Sequence, residues 1–474
     1  MLLRTDPKPE ATTSSKETAC SVNRRSDPEY GNQLTAGQWP CAVGRSLYAA
    51  YKLAIVPMQI SQKYHLAQAH ALNQSDERNV QVKTATTRLF GMLDLSLVGG
   101  EPTFPAETLL DHNSSYDGVA ALVDDRHDHG NEHDRASRNQ LLKRIAAYLD
   151  LALLPAVALS EASITKALLV PGDTLDVSDD ALMLPDIAIL GGVVPAKFIG
   201  TKAITHALFD NQAKRPPEWS GLMAEAMGDA ALLGYTAFSR ADAARAGRSM
   251  LANGPVRIKD VCGKAGLGQS VVHDAIALDA ALALEDPDSL TRCGIVLEAN
   301  LTDVVTYSVG SVQLGDESIS YWGSQNLTTD NAGREVYGGS DLCVVRGDLD
   351  ALSALDLPAS LVRAIACAAT FDRSAHLAYP TVRLTRRNYD VIEGLDHAGT
   401  WRIGVLEQSW RVGGASGAEI AAFEALRAEP DTQSVRCSTV EVYDIVTPPV
   451  GATLYYQGHD PVVGPMTKYA VRLA

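Results

Sequence analysis

A lysine and a glycine-rich loop in the middle of the sequence have the residue types that could bind a polyphosphate. Lys259 lies in the apolar stretch VRIKDV, and Gly263, Gly266 and Gly268 follow it. A lysine supplies a point charge, and glycines let backbone N–H groups approach phosphate oxygens closely. The loop lacks the GKS or GKT of a Walker A motif, and the SVV after it favours a strand over the helix of a Rossmann fingerprint. An ordinary hairpin with glycine turns is the alternative interpretation.

Two acidic residues nearer the C-terminus form a second candidate site. Asp390 in NYDV and Glu407 in VLEQSW lie among apolar residues, and Ser409 and Arg411 follow Glu407 at alternate positions. A carboxylate that faces the protein interior needs a partner, and Mg²⁺ held by two carboxylates and phosphate oxygens is one such partner. The alternative is that both carboxylates face solvent or pair with nearby arginines.

The elements that must position these residues follow from hydrophobic periodicity. Residues 134–151 predict an amphipathic helix that Asp134 could cap, and residues 239–254 predict a second helix capped by Ser239. Further predictions are a helix over 361–371, strands over 118–124, 186–195, 289–301 and 304–314, a strand on either side of the glycine loop, and hairpins turning at 330–333 and 396–399. Because strands and helices alternate in the first part, the fold class is expected to be α/β, or α+β, beginning with an open α/β domain.

Composition limits the classes of function. The 474 residues carry a formal net charge of −16, which argues against a nucleic-acid partner. Seven scattered cysteines form no CxxC pair, so neither a zinc site nor a disulfide framework is indicated. The N-terminus lacks the apolar core of a signal peptide, and no convincing membrane span is present. We therefore expect a soluble, cytoplasmic protein.

Several motifs, taken in order, resemble those of the ATP-grasp superfamily, which includes biotin carboxylase and the D-alanine ligases. GTKAITHAL (200–208) resembles the segment of the first lysine, and GPVRIKDVCGKAGLGQ (254–269) resembles the second lysine and its phosphate loop. VLEANL (296–301) is similar to the hinge beside adenine, while NYDV and VLEQSWRVGG are similar to the metal-binding strands. Longer runs, including LEANLTDVVTYSVG and LEQSWRVGGASGAEI, resemble an uncharacterised proteobacterial family placed near biotin carboxylase.

The resemblance implies an ATP-grasp fold, the cofactors ATP and Mg²⁺ (or Mn²⁺), and a set of site residues. Phosphates would be bound by Lys202, Lys259, Gly266 and Gly268, adenine would lie beside Glu298, Ala299 and Leu301, and the metal would bind Asp390, Glu407 and Ser409. Lys259 and Arg411 would be catalytic, with Arg411 orienting the acyl phosphate or the substrate carboxylate. The expected partners are a small-molecule carboxylate and an amine or other nucleophile, with no nucleic acid and no membrane, and a homodimer is left open.

The same resemblance implies a division into domains. Residues 1–114 would be an N-terminal extension, disordered in part and of unknown role. Residues 115–195 would form a pre-ATP-grasp α/β domain, 196–312 the ATP-grasp N-terminal and lid subdomains, and 313–474 the metal-binding C-terminal subdomain.

Three functions are consistent with this pattern. The first is a ligase that uses Mg-ATP to activate a carboxylate through an acyl phosphate. The second is biotin-carboxylase-like activation of bicarbonate, which would need a separate biotin carrier. The third is a nucleotide-binding regulatory protein without catalysis, which is favoured by the departures of Ser409, Thr306 and Asn388 from the family pattern.

Overall fold

A computed structural model describes residues 116–123, 130–177, 188–263 and 268–473 of the chain. The predictions for residues 1–114 and for Gly266 lie outside these ranges. In the part of the chain that is described, no helix is both long and apolar enough to cross a membrane.

The first sheet is parallel and follows from four apolar segments. Strand β1 (Gly118–Val123) pairs with β2 (Ala152–Leu153), β3 (Val157–Ala158) and β4 (Ala167–Pro171), and helix α1 (Glu132–Leu149) connects β1 to β2. The helix is confirmed, but the predicted cap was wrong. Asn131 occupies the cap position in extended conformation, and its backbone N–H donates to Asp134 at 3.4 Å, so Asp134 lies in the first turn.

The apolar stretch predicted as one strand over 186–195 is divided between two sheets. Ile189 forms a parallel bridge with Leu169 in β4, whereas β6 (Gly192–Val194) pairs with β5 (Leu175–Asp176) and β14 (Arg383–Leu384). Gly191, with a φ of +148°, lies between the two pairings. The backbone turns at this glycine, which is why the chain leaves one sheet and enters the next.

A small antiparallel sheet carries the predicted phosphate loop. Its order is β7 (Gly234–Ala237), β10 (Ile295–Ala299), β8 (Val256–Asp260) and β9 (Gln269–Val272). The helices of this part of the chain are α2 (Leu222–Met227), α3 (Arg240–Leu251), α4 (Ala275–Ala283) and α5 (Pro287–Cys293). The two strands around the glycine loop and the helix capped by Ser239 are confirmed.

Helix α5 corrects the strand predicted over 289–301, since only the second half of that segment is a strand. Asp286 accepts a hydrogen bond from the Ser289 N–H at 2.7 Å, and Pro287 lies in the first turn, as is typical of a helix start. Gly294, with a φ of +83°, ends the helix before β10. The apolar residues of the segment therefore belong to two elements.

A large antiparallel sheet of eight strands follows, in the order β16, β15, β11, β12, β13, β17, β19, β18. The strands are β11 (Thr302–Leu314), β12 (Glu317–Thr329), β13 (Glu335–Arg346), β15 (Arg386–Leu395), β16 (Trp401–Ser409), β17 (Ser434–Val442), β18 (Thr453–Asp460) and β19 (Gly464–Arg472). Helices α6 (Leu349–Ser353), α7 (Ala359–Ala378) and α8 (Ser416–Ala428) connect them. Both predicted hairpin turns and the helix over 361–371 are confirmed.

The large sheet is covered on both faces. Phe371 of α7 packs with Tyr389 and Val391 on one face, and Phe423 of α8 packs with Tyr321 and Leu342 on the other. The mixed α/β class is therefore confirmed.

The predicted division at residue 312 falls within β11, whereas the change from the small to the large sheet falls at residues 300–301. The three-part division of residues 115–474 stays a prediction.

Candidate functional site

A five-residue segment, 202–206, connects two clusters of charged side chains. It begins as a 3-10 turn whose cap, Thr201, accepts a hydrogen bond from the Ala203 N–H at 3.2 Å. The side chain of Gln408 in β16 donates to the Thr201 carbonyl at 2.6 Å. This contact holds the segment against β16, beside Glu407, so Lys202 and His206 have fixed positions.

The first cluster, which we call the Lys259 cluster, contains Lys259, Glu298 and His206. Lys259 Nζ lies 2.6 Å from one oxygen of Glu298, and His206 Nε2 lies 3.0 Å from the other. Lys259 faces Val296 across the β8–β10 pair, so it is a diagonal neighbour of Glu298 on the same face. The sequence had assigned Lys259 to phosphate and Glu298 to adenine separately, whereas the structure pairs them.

The Glu298 carboxyl is ionised in this cluster. Burial by itself would raise its pKa, but the charge of Lys259 and the hydrogen bond from His206 lower the pKa to about 2. All three side chains are at most 3% exposed. Because the pair is buried, each partner depends on the other for compensation of its charge.

The second cluster, the Glu407 cluster, contains Lys202, Glu407 and Asp390. Lys202 Nζ lies 2.5 Å from Glu407 and donates to the Gly263 carbonyl at 3.1 Å. Asp390 and Glu407 are directly opposite each other in the β15–β16 hairpin, so both side chains project from the same face of the sheet. The first lysine, the start of the glycine loop and both predicted metal carboxylates therefore meet.

Asp390 is held by hydrogen bonds from Asn388, Ser308 and Gln325, which lie on its own face of the sheet. Asn388 Nδ2 donates to Asp390 Oδ1 at 2.9 Å, and Ser308 Oγ donates to the same oxygen at 3.3 Å. Burial, followed by the negative charge of Glu407, raises the pKa of Asp390 to about 6. Two neighbouring carboxylates repel each other when both are ionised, and a divalent cation between them removes that repulsion. The donor set therefore fits Mg²⁺ or Mn²⁺.

In metal-free protein, Asp390→Asn is expected to increase the free energy of unfolding above pH 6 and to have little effect near pH 4. The folded-state pKa of Asp390 lies above its ordinary value of 3.8, so the native carboxyl loses stability as the pH rises from about 4 to about 6. An asparagine carries no such penalty, so the gain is up to about 3 kcal/mol. Urea denaturation at both pH values in the presence of EDTA measures it. An equal effect at both pH values would contradict the assignment.

Ser409 does not fit the metal set. Arg386 Nη1 donates to the Ser409 carbonyl at 2.9 Å and to its hydroxyl at 3.4 Å. A guanidinium bound to the hydroxyl makes this position electrostatically unfavourable for a metal ion. The arginine itself is fully buried and paired with Glu419, which explains why it is fixed there.

Arg411 lies in a third, more open group of charges. Its Nε is 3.7 Å from Asp173, in the loop after β4, and Lys197 Nζ is 3.9 Å from the same carboxylate. The three side chains are between 21% and 26% exposed. Two cations around one anion leave a net positive charge at the carboxyl end of a parallel strand, where ligands of α/β sheets usually bind.

The backbone positions predicted near the nucleotide are described in part. Gly268 has a φ of +74°, and its carbonyl accepts a hydrogen bond from the Asp260 N–H at 2.8 Å, which closes the β8–β9 hairpin. The Ala299 N–H donates to the Leu233 carbonyl at 2.9 Å, so this N–H is already paired within the protein. The side chain of Leu301 is buried.

The structure thus brings Lys202, Glu407 and Asp390 together and connects Lys259 and Glu298 to them through residues 202–206. Sequence reasoning missed His206, Asp173 and Lys197. His206 follows Lys202 by four residues in a quoted motif, which is the one signal that could have marked it. Asp173 and Lys197 have no local signal, because their contacts with Arg411 arise only on folding.

The fold and site define a mixed α/β protein with buried lysine–carboxylate pairs grouped around a glycine loop and an acidic hairpin. The chain belongs to the family described as "Protein of unknown function (DUF3182)", which matches residues 121–470. A comparison with curated proteins finds no match.

Solved structures with similarity to this chain include three kinds of enzyme. N5-carboxyaminoimidazole synthetase from Staphylococcus aureus, complexed with ADP, aligns with 9% identity and a TM-score of 0.46 over 76% of this chain and 94% of that chain. Biotin carboxylase from Campylobacter jejuni aligns with 11% identity and a TM-score of 0.43 over 76% and 88%. D-alanyl-alanine synthetase A from Vibrio cholerae aligns with 11% identity and a TM-score of 0.38 over 61% and 89%. These similarities establish neither a substrate nor a reaction for this chain.

Proposed function

We propose that this protein is an ATP-grasp ligase that uses Mg-ATP to activate a small-molecule carboxylate as an acyl phosphate. The observation that carries the proposal is the position of Lys202, which contacts both Glu407 and the carbonyl of Gly263. One ammonium thereby connects the glycine loop to the acidic hairpin, as a site for a triphosphate and its metal requires. Lys259, at the base of the same loop, supplies the second cation.

The proposed reaction is a phosphoryl transfer. An oxygen of the substrate carboxylate forms a bond to the γ-phosphorus, the bond between that phosphorus and the β,γ-bridging oxygen breaks, and ADP leaves with its electron pair. An amine or another nucleophile then attacks the acyl carbon and releases inorganic phosphate. Because the first step brings an anion towards a polyanion, the catalytic requirement is electrostatic.

The lysines of the two clusters meet that requirement. In the nucleotide-free protein, Lys202 and Lys259 pair with Glu407 and Glu298, which holds both ammonium groups in place. A bound metal ion, held by Asp390 and Glu407, would neutralise charge on the phosphates. Lys202, which lies between Glu407 and the start of the glycine loop, would donate to a phosphate oxygen.

The group formed by Arg411, Lys197 and Asp173 is the proposed position of the substrate carboxylate. It has a net positive charge and partial exposure, and Arg411 follows Glu407 by four residues. A carboxylate bound to Arg411 would lie beside the metal hairpin. The identity of the acid is set by the loops around this group, and the acceptor by a neighbouring pocket.

The test is ATP turnover by the full chain with a panel of carboxylic acids, with and without amines, and with bicarbonate. Formation of ADP and phosphate that depends on both an acid and Mg²⁺ supports the proposal. Trapping with hydroxylamine, which converts an acyl phosphate into a hydroxamate, identifies the intermediate. Stimulation by bicarbonate alone would favour the carboxylase reaction, whereas tight Mg-ATP binding without turnover across the panel would contradict a ligase.

A specific observation favours nucleotide binding without turnover as the second candidate. Asn388 and Ser409 stand where related ligases have an arginine and an asparagine, and both are engaged elsewhere, with Asp390 and Arg386 respectively. This arrangement would retain the lysines and the acidic pair but supply fewer groups to the transition state. The turnover panel distinguishes this candidate from the ligase.

A further inference from the structure

A continuous chain of buried hydrogen bonds leads from Arg386 to Asp390. Arg386 donates from Nη2 to Glu419 Oε1 at 2.7 Å, and the Tyr321 hydroxyl lies 2.7 Å from that oxygen and 2.9 Å from Asn388 Oδ1. Asn388 Nδ2 donates to Asp390 Oδ1 at 2.9 Å. The first four of these residues are at most 6% exposed, so water does not compete for their bonds.

Tyr321 determines which way the Asn388 amide faces. An amide has an acceptor on one side and a donor on the other, and the two exchange when the group turns by 180°. Because the Tyr321 hydroxyl donates to Oδ1, the NH₂ group must point to Asp390. If the amide were turned by 180°, its oxygen would face the Asp390 carboxylate and the two would repel each other. The same hydroxyl also donates to Glu419 Oε1, which is 2.7 Å away and already accepts from Arg386, so its one proton is shared between Glu419 and Asn388.

Strand β11, next to Tyr321, leaves space for the Tyr321 ring. Gly310 lies directly opposite both Tyr321 and Asn388, and a Cβ at this position would overlap the Tyr321 hydroxyl. The ring therefore reaches across β11 to β15, two strands away, because the strand between them has no side chain there. The Tyr321 phenol thus lies beside the acidic hairpin, and its ring fills the space above Gly310.

We infer that Tyr321, acting through Asn388, is a positioning residue that holds Asp390 in the orientation required to bind the metal ion. This inference rests on the proposed role of Asp390 and Glu407 in metal binding. Glu419 lies in the first turn of α8, after the loop that begins at Arg411. The chain of bonds therefore also ties the metal hairpin to the helix that follows the proposed carboxylate group.

The test compares Tyr321→Phe with Tyr389→Phe. Tyr389 is also fully buried, lies on the opposite face of the same sheet, and donates its hydroxyl proton to Asp372 at 2.5 Å. Both variants lose a buried hydrogen bond and should be destabilised similarly. Only Tyr321→Phe should raise the Kd for Mn²⁺, roughly tenfold, in protein saturated with a non-hydrolysable ATP analogue. Free Mn²⁺ is measured by electron paramagnetic resonance, and the metal-free Kd of the analogue should stay unchanged.

A second variant, Ser308→Ala, shows whether loss of a hydrogen bond to Asp390 weakens metal binding. It removes another donor to Asp390 with a small change in volume and should also raise the Mn²⁺ Kd. If Ser308→Ala weakens Mn²⁺ binding but Tyr321→Phe, folded, matches Tyr389→Phe, positioning by Tyr321 is overturned. If Tyr321→Phe does not fold, Asn388→Ser, which removes the amide through which Tyr321 acts, is measured instead, and an Mn²⁺ affinity equal to that of the parent overturns the inference.

Glu407→Gln separates the failure of this inference from the failure of the proposed function. If Glu407→Gln binds Mn²⁺ and the ATP analogue as the parent does, the metal site itself is misassigned and the proposed function fails. If Glu407→Gln loses Mn²⁺ binding while Tyr321→Phe retains it, the metal site stands and only the positioning role is rejected.

Discussion

Glu407→Gln is expected to lower ATP turnover by about 10²–10³-fold, because removal of one preorganised charged group from a phosphoryl-transfer site has an effect of this size. Glu407 has two tasks in the proposed mechanism. It faces Asp390 to hold the metal, and it fixes Lys202 at 2.5 Å until the nucleotide arrives. The loss should appear mainly in kcat at saturating ATP. It is measured with the acid that supports turnover of the parent protein.

Glu393→Gln is the matched control. Glu393 lies on β15 three residues after Asp390 and pairs with Arg363 at 3.2 Å, away from both clusters. We expect turnover of this variant to remain within about twofold of the parent, since the partners of Glu393, which are Arg363 and Tyr307, belong to neither cluster. Normal turnover by Glu407→Gln, or an equal loss in both variants, would show that Glu407 has no special role.

Lys259→Met should have the largest effect on stability. It removes the cation that contributes most to lowering the pKa of Glu298 to about 2, and it leaves that carboxyl buried with His206 as its remaining hydrogen-bond partner. Breaking a buried ion pair in this way typically lowers the free energy of unfolding by about 3–5 kcal/mol. Nucleotide binding should be lost as well. Urea denaturation and calorimetric titration with an ATP analogue measure the two effects.

The double variant Lys259→Met/Glu298→Leu separates stability from function. Replacing both members of a buried pair by apolar residues is often neutral, so most of the lost stability should return. Nucleotide binding should not return, because the phosphate would still lack its cation. Lys468→Met is a control for loss of a buried lysine, since Lys468 pairs with Glu441 at 3.2 Å in the large sheet. Retained binding in the double variant would exclude Lys259 from the site.

The parts of the fold that could be predicted from sequence depend on local signals. The hairpin at 330–333 and the one at 396–399 were predicted correctly because Asp and Gly at fixed offsets favour a tight turn. Helix α5 was missed because the apolar residues of 295–301 dominated the segment. The Asp-Pro at 286–287 was the local sign of a helix start.

The residues of the candidate site could be predicted from the sequence, but the contacts between them could not. Lys202, Lys259, Glu298, Asp390 and Glu407 were all identified from ordered motifs, and the structure places them in two connected clusters. That Lys259 meets Glu298 depends on the register of β8 against β10, which no single segment specifies. The contacts of Asp173 with Lys197 and Arg411 could not be predicted either, because they join distant parts of the chain.

The shared segment at 202–206 has a consequence for how this family can change in length. Lys202 and His206 serve different clusters but are separated by only three residues, and the segment is held from outside by Gln408. An insertion or deletion of one residue here would shift one side chain relative to the other and dismantle both clusters at once. The turn at 396–399, on the hairpin of Asp390 and Glu407, lies far enough along the strands to absorb such a change. Length variation among homologues should therefore concentrate at that turn and be excluded from residues 202–206.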